Sequence, residues 1–191
     1  MNQVRVLIEG YAKKITNGWL ASSTVTLVKS NGKNIIIDPG CNREKLLGVL
    51  AKEGLTTAAI HYVILTHNHT DHTLLAGIFE NAKTLNSYEI YYNDNQVAHN
   101  NAVPGADLQL ISTPGHTEDH ISVFVKTRDG VYVIAGDLFW WMNDEEQKVD
   151  VEKDDQAHPS NKKQLIESRK KILDIADYII PGHGKIFKVK K

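Results

Sequence analysis

Short runs of apolar and β-branched residues, separated by turn residues, dominate the first third of the chain, and this pattern predicts strands. The predicted strands are VRVLIEGY (4–11), STVTLVKS (23–30), NIIIDPG (34–40) and HYVILT (61–66). Asn31-Gly32, between the second and third runs, favours a tight hairpin turn. A helix is predicted over residues 43–54, because three leucines recur on one face and Gly54 can end it. The fourth run is apolar almost throughout, which is typical of a strand covered on both faces.

The second half of the chain repeats the order of strands before a helix. Its predicted strands are DLQLIST (107–113), ISVFVKT (121–127) and VYVIAGD (131–137), with a closing strand, turn and strand in DYIIPGHGKIFKV (177–189). A long amphipathic helix is predicted from Lys162 to about Ala176, and the acidic, aperiodic residues 143–158 predict a loop. Two blocks of strands followed by a helix indicate two packed β-sheets with helices outside. No repeat or low-complexity linker divides the sequence, so we expect residues 1–191 to form a single domain.

Composition and charge exclude several classes of protein. The apolar fraction of 41% and the charged fraction of 24% are those of an ordinary soluble domain. The formal net charge of −1 gives no global attraction to nucleic acid or to an anionic membrane. The N-terminal residues lack a long apolar core, so we predict neither a signal peptide nor a membrane span. The single cysteine, Cys41, agrees with a reducing compartment, and we expect a cytoplasmic protein.

Histidine and aspartate are concentrated where the fourth predicted strand ends. The sequence LTHNHTDH contains His67, His69, Asp71 and His72. Alternate positions of an extended segment point the same way, so the first two histidines can reach one metal ion while Asp71 and His72 turn toward another. Packing alone gives no reason to gather three imidazoles whose protonation would cause repulsion. We therefore interpret this cluster as a set of metal ligands suited to zinc, iron or manganese.

Three further candidate ligands each follow a strand and a glycine. They are His116 in PGHT, Asp137 in AGDL and His183 in PGHG. The preceding glycine lets the backbone approach a crowded site closely. His120, in the same turn as His116, is either a group behind a ligand or facing substrate, or a satisfied turn histidine. Lys185 follows the last motif and either meets an anionic substrate group or is solvated.

The order and separations of THNHTDH, PGHT, GD and GHG resemble the metallo-β-lactamase superfamily, over nearly the whole chain. That resemblance implies an α+β fold, a four-layer αββα sandwich with a dinuclear metal site. The implied ligands are His67, His69 and His116 for one ion and Asp71, His72 and His183 for the second, with Asp137 as the bridge. It also implies that Asp38, in DPG, holds a ligand histidine in one tautomer, although Asp-Pro-Gly is also an ordinary turn.

The resemblance implies hydrolysis. Two divalent ions, most often Zn²⁺ with Fe or Mn as alternatives, would supply a bridging hydroxide as nucleophile and polarise the oxygen under attack. Asp71 would orient that water or relay its proton, and is the implied catalytic residue. Resistance-type lactamases usually carry Cys at the position of Asp137, and flavodiiron proteins usually carry Glu at that of His69, so the sequence resembles neither branch.

The sequence leaves three functions open. The first is phosphodiester hydrolysis of RNA, because GDLFWW (136–141) and residues 168–189 resemble a compact branch that includes histone pre-mRNA endonucleases and related bacterial and archaeal hydrolases. The second is hydrolysis of β-lactams, lactones or thioesters, small carbonyl substrates that need an apolar pocket with a donor such as Tyr or Lys. The third is a noncatalytic metal-binding protein, which a paired, open ligand set disfavours.

Two features bear on the RNA hypothesis. Residues 161–191 are rich in Lys and Arg, which could hold a phosphate backbone, although such a helix face is often simply solvated. Trp140 or Trp141 could stack a base at the rim of the site, while the other would lie in the core because neighbours in a strand point apart. The acidic loop would disfavour RNA if it overhangs the site.

Overall fold

The computed structural model describes residues 1–155 and 161–190. Its helices are α1 (Arg43–Lys52), α2 (Thr70–Thr73) and α3 (Lys162–Ile175). Its strands are β1 (Gln3–Ile8), β2 (Tyr11–Ile15), β3 (Gly18–Ser22), β4 (Val25–Ser30), β5 (Lys33–Ile37), β6 (Tyr62–Ile64), β7 (Lys83–Leu85), β8 (Glu89–Tyr92), β9 (Asn95–Ala98), β10 (Gln109–Ser112), β11 (Ile121–Thr127), β12 (Gly130–Trp140), β13 (Tyr178–His183) and β14 (Phe187–Lys188). None of these helices combines the length and the apolar composition that a membrane crossing needs.

The strands form two large sheets and one hairpin. The first sheet has seven strands in the order β1-β4-β5-β6-β7-β8-β9, and the second has five in the order β10-β11-β12-β13-β14. Strands β2 and β3 pair only with each other. Pairing is parallel within β5-β6-β7 and between β12 and β13, and the connections that allow it include α1 and α3.

Three clusters of buried apolar side chains show the layering. One cluster fills the space between the two sheets and includes Ile64 and Ile134. A second lies under α1 on the outer face of the seven-stranded sheet, and a third lies under α3 on the outer face of the five-stranded sheet. Because Val63 belongs to the second cluster and Ile64 to the first, β6 is covered on both faces as its sequence predicted. The αββα sandwich is confirmed.

Turn chemistry explains two of the predicted boundaries. Asn31 and Gly32 have φ of 48° and 76°, the left-handed conformation that a two-residue hairpin between β4 and β5 requires. Gly54 has φ of 69° just after α1, and Leu55 N–H donates to the carbonyl of Leu50, which caps the helix.

Several strands were missed by the sequence pattern. The hairpin β2–β3 and the strand β9 are largely exposed, so their sequences carry little alternation. The predicted strand 4–11 is also interrupted at Gly10, where a side chain would overlap the carbonyl oxygen of Gly182. This close approach redirects the chain from β1 into the hairpin and places the hairpin beside the end of β13.

The acidic residues after β12 form a strap that is held against the fold. We call residues 142–155 the strap; they contain neither helix nor strand, as predicted, whereas residues 156–158 of the predicted loop lie outside the described residues. Arg169 of α3 is 2% exposed, and its guanidinium donates to the carbonyls of Leu138, Val151 and Lys153 at 2.6, 3.0 and 2.7 Å. Arg169 is therefore not part of a solvated basic face, which was one interpretation of the Lys- and Arg-rich residues 161–191. Its acceptors lie far away in sequence, so the pattern along the helix does not reveal them.

Arg169→Ala is expected to lower the free energy of unfolding by about 3 kcal/mol, because it leaves buried carbonyls without donors. Lys170→Ala, which removes the exposed neighbour, is the matched control and should change it by less than about 0.5 kcal/mol. Urea unfolding followed by circular dichroism measures both. Equal stabilities of the two variants would contradict the structural role given to Arg169.

Candidate metal centre

The fold brings all seven predicted ligands to one place. His67 and His69 lie in the turn after β6, Asp71 and His72 lie in α2, and His116 lies in the loop between β10 and β11. Asp137 lies within β12, and His183 is the last residue of β13. The site therefore sits at one end of the sandwich, where strands of both sheets finish.

The seven side chains form two groups of candidate ligands. His67, His69, His116 and Asp137 form one group, and Asp71, His72 and His183 form the other; the ligand atoms within each lie within 4.8 Å of one another. Asp137 faces both groups with different oxygens. Its Oδ2 lies 3.3 Å from His116 Nε2, and its Oδ1 lies 3.2 Å from His72 Nε2. This is the geometry that a bridging carboxylate needs.

Four of the five histidines are anchored at Nδ1 and turn Nε2 inward. Nδ1 of His67 lies 3.0 Å from Thr66 Oγ1, and Nδ1 of His72 lies 2.9 Å from Asp38 Oδ2. His183 Nδ1 lies 3.1 Å from the carbonyl of Tyr11, and His116 Nδ1 contacts Asp155 Oδ2. Acceptors at these positions favour the tautomer with a proton on Nδ1, which leaves a lone pair on Nε2 for a metal ion.

Two buried polar atoms at the centre have no hydrogen-bond partner. They are His72 Nε2 and Asp137 Oδ1, which face each other at 3.2 Å. An unpaired buried polar atom costs free energy, so such a pair calls for a ligand between them. The donor set of imidazole and carboxylate is one that divalent metals accept. The residues therefore suit two metal ions, although they do not identify the metal.

The electrostatics of the centre differ between the two groups. Burial, with help from neighbouring imidazoles, lowers the pKa of His67 and His69, so both favour the neutral form. Burial also opposes the charged form of His183, but Asp137 and Asp71 outweigh it and raise its pKa to about 9. The pKa of Asp137 is held well below its usual range, because His72 and His183 outweigh the effect of burial. Without metal, protons occupy the second group, and metal binding must release them.

Asp38 takes the orienting role predicted for it. Its Oδ1 accepts the backbone N–H of Thr66 at 2.8 Å, and its Oδ2 accepts the Thr66 hydroxyl at 2.7 Å as well as His72 Nδ1. Because the Thr66 hydroxyl donates to Asp38, its oxygen is left to accept from His67. Asp38 thus orients one histidine directly and a second through Thr66.

The glycines before the ligands are required by close packing. A methyl group at Gly182 would overlap the Asp137 carboxylate, and one at Gly136 would lie 2.6 Å from Thr66 Oγ1. Gly115, at φ of 141°, lies against the backbone of Leu165 at the start of α3. The expected close approach to the site is therefore found at Gly136 and Gly182, whereas Gly115 makes room for α3.

His120 lies behind the first group of ligands. Its ring stacks on that of His67 with centroids 5.3 Å apart, and its Nδ1 lies 2.9 Å from Thr113 Oγ1. Burial, with nearby His116, lowers its pKa to about 3, so the ring is neutral. Of the predicted roles, these contacts favour a group behind His67. The Nδ1 of His120 is also bonded within its own loop, and His120 is not among the residues that line the cavity.

The structure places the remaining predicted contact residues, Trp140, Trp141 and Lys185, in three different surroundings. Trp140 is 5% exposed and lines the cavity at the centre. Trp141 is buried in the cluster under α3, so it is the tryptophan that lies in the core, as expected for one of the two neighbours. Lys185 is exposed, is not among the residues that line the cavity, and contacts Gln147 through its backbone, so of its two interpretations the structure favours the solvated one.

A cavity of about 700 Å³ opens onto both groups of ligands, through His69 and Asp137 of the first and Asp71 and His183 of the second. The hairpin β2–β3 forms one wall and contributes Lys14 and Trp19. Trp19 is 45% exposed and packs edge-on against Trp140, with ring centroids 6.5 Å apart. No pattern in the sequence indicates Lys14 or Trp19, because the exposed hairpin that carries them shows little alternation of apolar and polar residues. Asp155 was missed as well, since an isolated aspartate in an acidic loop looks solvated.

Comparisons with known proteins identify the class. The profile of the Metallo-beta-lactamase superfamily matches residues 18–96. Metallo-beta-lactamase domain-containing protein 1 of Xenopus laevis is 35% identical over 200 residues, which cover 100% of this chain and 83% of that protein. The fold and the paired ligand groups are those of a metal-binding αββα hydrolase. The chain belongs to the metallo-β-lactamase superfamily.

Two further matches differ in scope. The hydroxyacylglutathione hydrolase of Glaesserella parasuis is 31% identical over 128 residues, which cover 63% of this chain and 52% of that enzyme. The structure of AidC, described as a dizinc quorum-quenching lactonase, superposes with a TM-score of 0.62 at 15% identity and covers 87% of this chain and 74% of AidC. The second match supports the fold alone.

Gly182→Ala is expected to displace the Asp137 carboxylate and to lower the affinity for both metal ions, because Asp137 faces both groups. Gly48→Ala is the control, since a methyl group there meets nothing and alanine favours the helix by about 0.5–1 kcal/mol. Metal content after dialysis, measured by atomic emission, compares the two. A Gly182→Ala protein that retained two ions per chain would refute the packing argument.

Proposed function

We propose that this protein is a dinuclear metal-dependent hydrolase of small carbonyl compounds, with thioesters, esters and lactones as the substrate class. The observation that carries the proposal is the largely apolar cavity that opens directly onto residues of both ligand groups, His69 and Asp137 of the first and Asp71 and His183 of the second. Its apolar wall consists of Ala12, Trp19, Ala21, Leu74 and Trp140. Such a wall excludes water from a bound acyl chain and stabilises it by burial.

Different residues around the cavity would perform different parts of the hydrolysis. Two bound divalent ions supply a hydroxide near neutral pH and polarise the oxygen under attack. Asp71 stands at the boundary between the second group and the cavity, with its carboxylate 3.2 Å from His183 Nε2, where it can accept a proton from water. Lys14, on the cavity wall, can donate to a carbonyl or carboxylate oxygen of the substrate.

The basic residues of α3 do not favour a long anionic substrate. None of the described residues lining the cavity comes from α3. Lys162 pairs with Asp154 at 2.5 Å, Lys171 donates to the carbonyl of Ser112, and Arg169 is buried. A positive track from α3 into the metal centre is therefore not available to guide a phosphate backbone.

Phosphodiester hydrolysis is retained as a second candidate on one observation. Trp19 is exposed at the rim of the cavity, and Lys14 Nζ lies 5.8 Å from its ring centroid. An exposed ring beside a cation is a feature by which proteins hold single-stranded nucleic acid. The similarity to a hydroxyacylglutathione hydrolase supports the carbonyl proposal instead.

His116→Ala is expected to lose metal from the first group and to lower hydrolysis more than about 100-fold, because Nε2 of His116 is one of its ligand atoms. The zinc-loaded wild type is offered a hydroxyacyl thioester of glutathione, an aliphatic lactone, a chromogenic β-lactam and a labelled single-stranded RNA. His99→Ala, prepared identically, controls for contaminating activity because His99 lies away from the centre. Cleavage of RNA alone would reject the carbonyl proposal, and full activity of His116→Ala would reject the metal assignment.

Trp19→Ala is expected to raise KM about tenfold, with little change in kcat, because it removes apolar contact area but no metal ligand. Leu20→Ala is the matched control, since Leu20 is the exposed neighbour that does not line the cavity. Steady-state kinetics on the best substrate of the panel measures both. If Trp19→Ala and Leu20→Ala shared the wild-type KM, substrate would not use this wall.

A further inference from the structure

We propose that Asp155 of the strap is a positioning residue of the metal centre, which fixes His116 in the orientation and tautomer that bind the first ion. The inference rests on the proposed metal-dependent function, but it concerns a residue outside the ligand set. It also gives the acidic strap a defined place in the site.

Asp155 holds two neighbours of the centre at once. Its Oδ2 contacts Nδ1 of His116, and its Oδ1 accepts Nε1–H of Trp140 at 3.1 Å. Asp155 is 5% exposed and His116 is fully buried, so water does not compete for these bonds. Carboxylate oxygens accept hydrogen bonds, so the contact of Asp155 Oδ2 with Nδ1 favours the tautomer of His116 that carries its proton on Nδ1.

The opposite nitrogen of His116 then faces the other ligands of its group. Its Nε2 lies 3.1 Å from His69 Nδ1 and 3.3 Å from Asp137 Oδ2. A carboxylate on the far side of an imidazole also raises the basicity of the coordinating nitrogen. Asp155 can thus act on the first ion without touching it.

The residues of the strap just before Asp155 are held by several contacts. Arg169 binds the carbonyls of Val151 and Lys153, and the ammonium of Lys153 donates to the carbonyl of Trp140 at 2.7 Å. Lys153 also pairs with Glu145 at 2.7 Å. These contacts hold the chain at Lys153, two residues before Asp155. The surrounding structure therefore sets the position of the Asp155 carboxylate.

Each group of ligands has its own orienting carboxylate. Asp38 contacts Nδ1 of His72 in the second group, and Asp155 contacts Nδ1 of His116 in the first. Asp38 directly follows β5, whereas Asp155 lies in the strap beyond β12. Removal of Asp155 should therefore act on the first ion, whereas removal of Asp38 should act on the second ion directly and on the first through Thr66 and His67.

The test measures zinc affinity by competition with a chromogenic chelator on the full chain. Asp155→Asn should weaken one of the two zinc ions by about 10–100-fold, the usual effect of losing such a partner. Asp154→Asn is the matched control, since Asp154 is the exposed neighbour that pairs with Lys162, and it should bind zinc as the wild type does. Two wild-type affinities in Asp155→Asn would overturn the inference.

A second measurement identifies the affected ion and does not require the variant to fold. In zinc-loaded wild type with ¹⁵N-labelled histidine, NMR should show His116 bound through Nε2 with a slowly exchanging Nδ1–H; binding through Nδ1 would overturn the inference. If folded Asp155→Asn is obtained, the perturbed histidine signals should be those of the first group and the His72 signal should not change, whereas Asp38→Asn should perturb His72 directly and His67 through Thr66.

These outcomes separate the inference from the proposed function. If the wild type binds two zinc ions but hydrolyses none of the carbonyl substrates, while Asp155→Asn binds one ion more weakly, the role of Asp155 stands and the proposed function fails. If the wild type hydrolyses a thioester and Asp155→Asn matches it in both affinities, only the inference fails.

Discussion

The convergence of five imidazoles and two carboxylates at one buried end of the sandwich is the constraint on which the rest of the site depends. An imidazole binds metal with one nitrogen and must dispose of the proton on the other, and burial makes an unpaired N–H costly. The structure supplies an acceptor behind four of the five rings: Thr66, Asp38, Asp155 and the carbonyl of Tyr11. Segments that contribute no ligand, such as β2 with Tyr11 and the strap with Asp155, therefore also contact the centre.

This constraint also explains how the cavity wall is placed. Tyr11 belongs to β2, and the hairpin that it begins carries Lys14 and Trp19 to the cavity. Gly10 just before it lies against Gly182, which in turn lies against Asp137. The contacts that anchor His183 and make room for the bridging carboxylate thus also fix the surface that would meet substrate. The close approach of Gly10 to Gly182 therefore helps to position both the ligands and the cavity wall.

The charge distribution separates the centre from the surface of the protein. Buried imidazole and carboxylate groups form the centre, while three basic residues of α3 are engaged elsewhere: Lys162 pairs with Asp154, Lys171 donates to the carbonyl of Ser112, and Arg169 donates to carbonyls of the strap. The cavity wall is apolar, with Lys14 at its edge. This arrangement is the basis of the proposed carbonyl substrate, because the wall would desolvate an apolar acyl part while Lys14 could meet the carbonyl oxygen.

The sequence by itself determined the layers of the fold and the seven residues that meet at the centre. Apolar periodicity reports burial, and clustered histidines preceded by glycine are too unusual to be explained by packing, so both could be interpreted without coordinates. The tertiary structure alone decided the roles of Asp155, Arg169, Trp19 and Trp141. Their partners lie far away in sequence or depend on which face of a strand is covered, and a single polar or aromatic residue has no pattern that records its neighbours. Clusters of ligand residues can be predicted from their positions along the chain. The orientation of their side chains and the access to the site arise only when distant segments pack together.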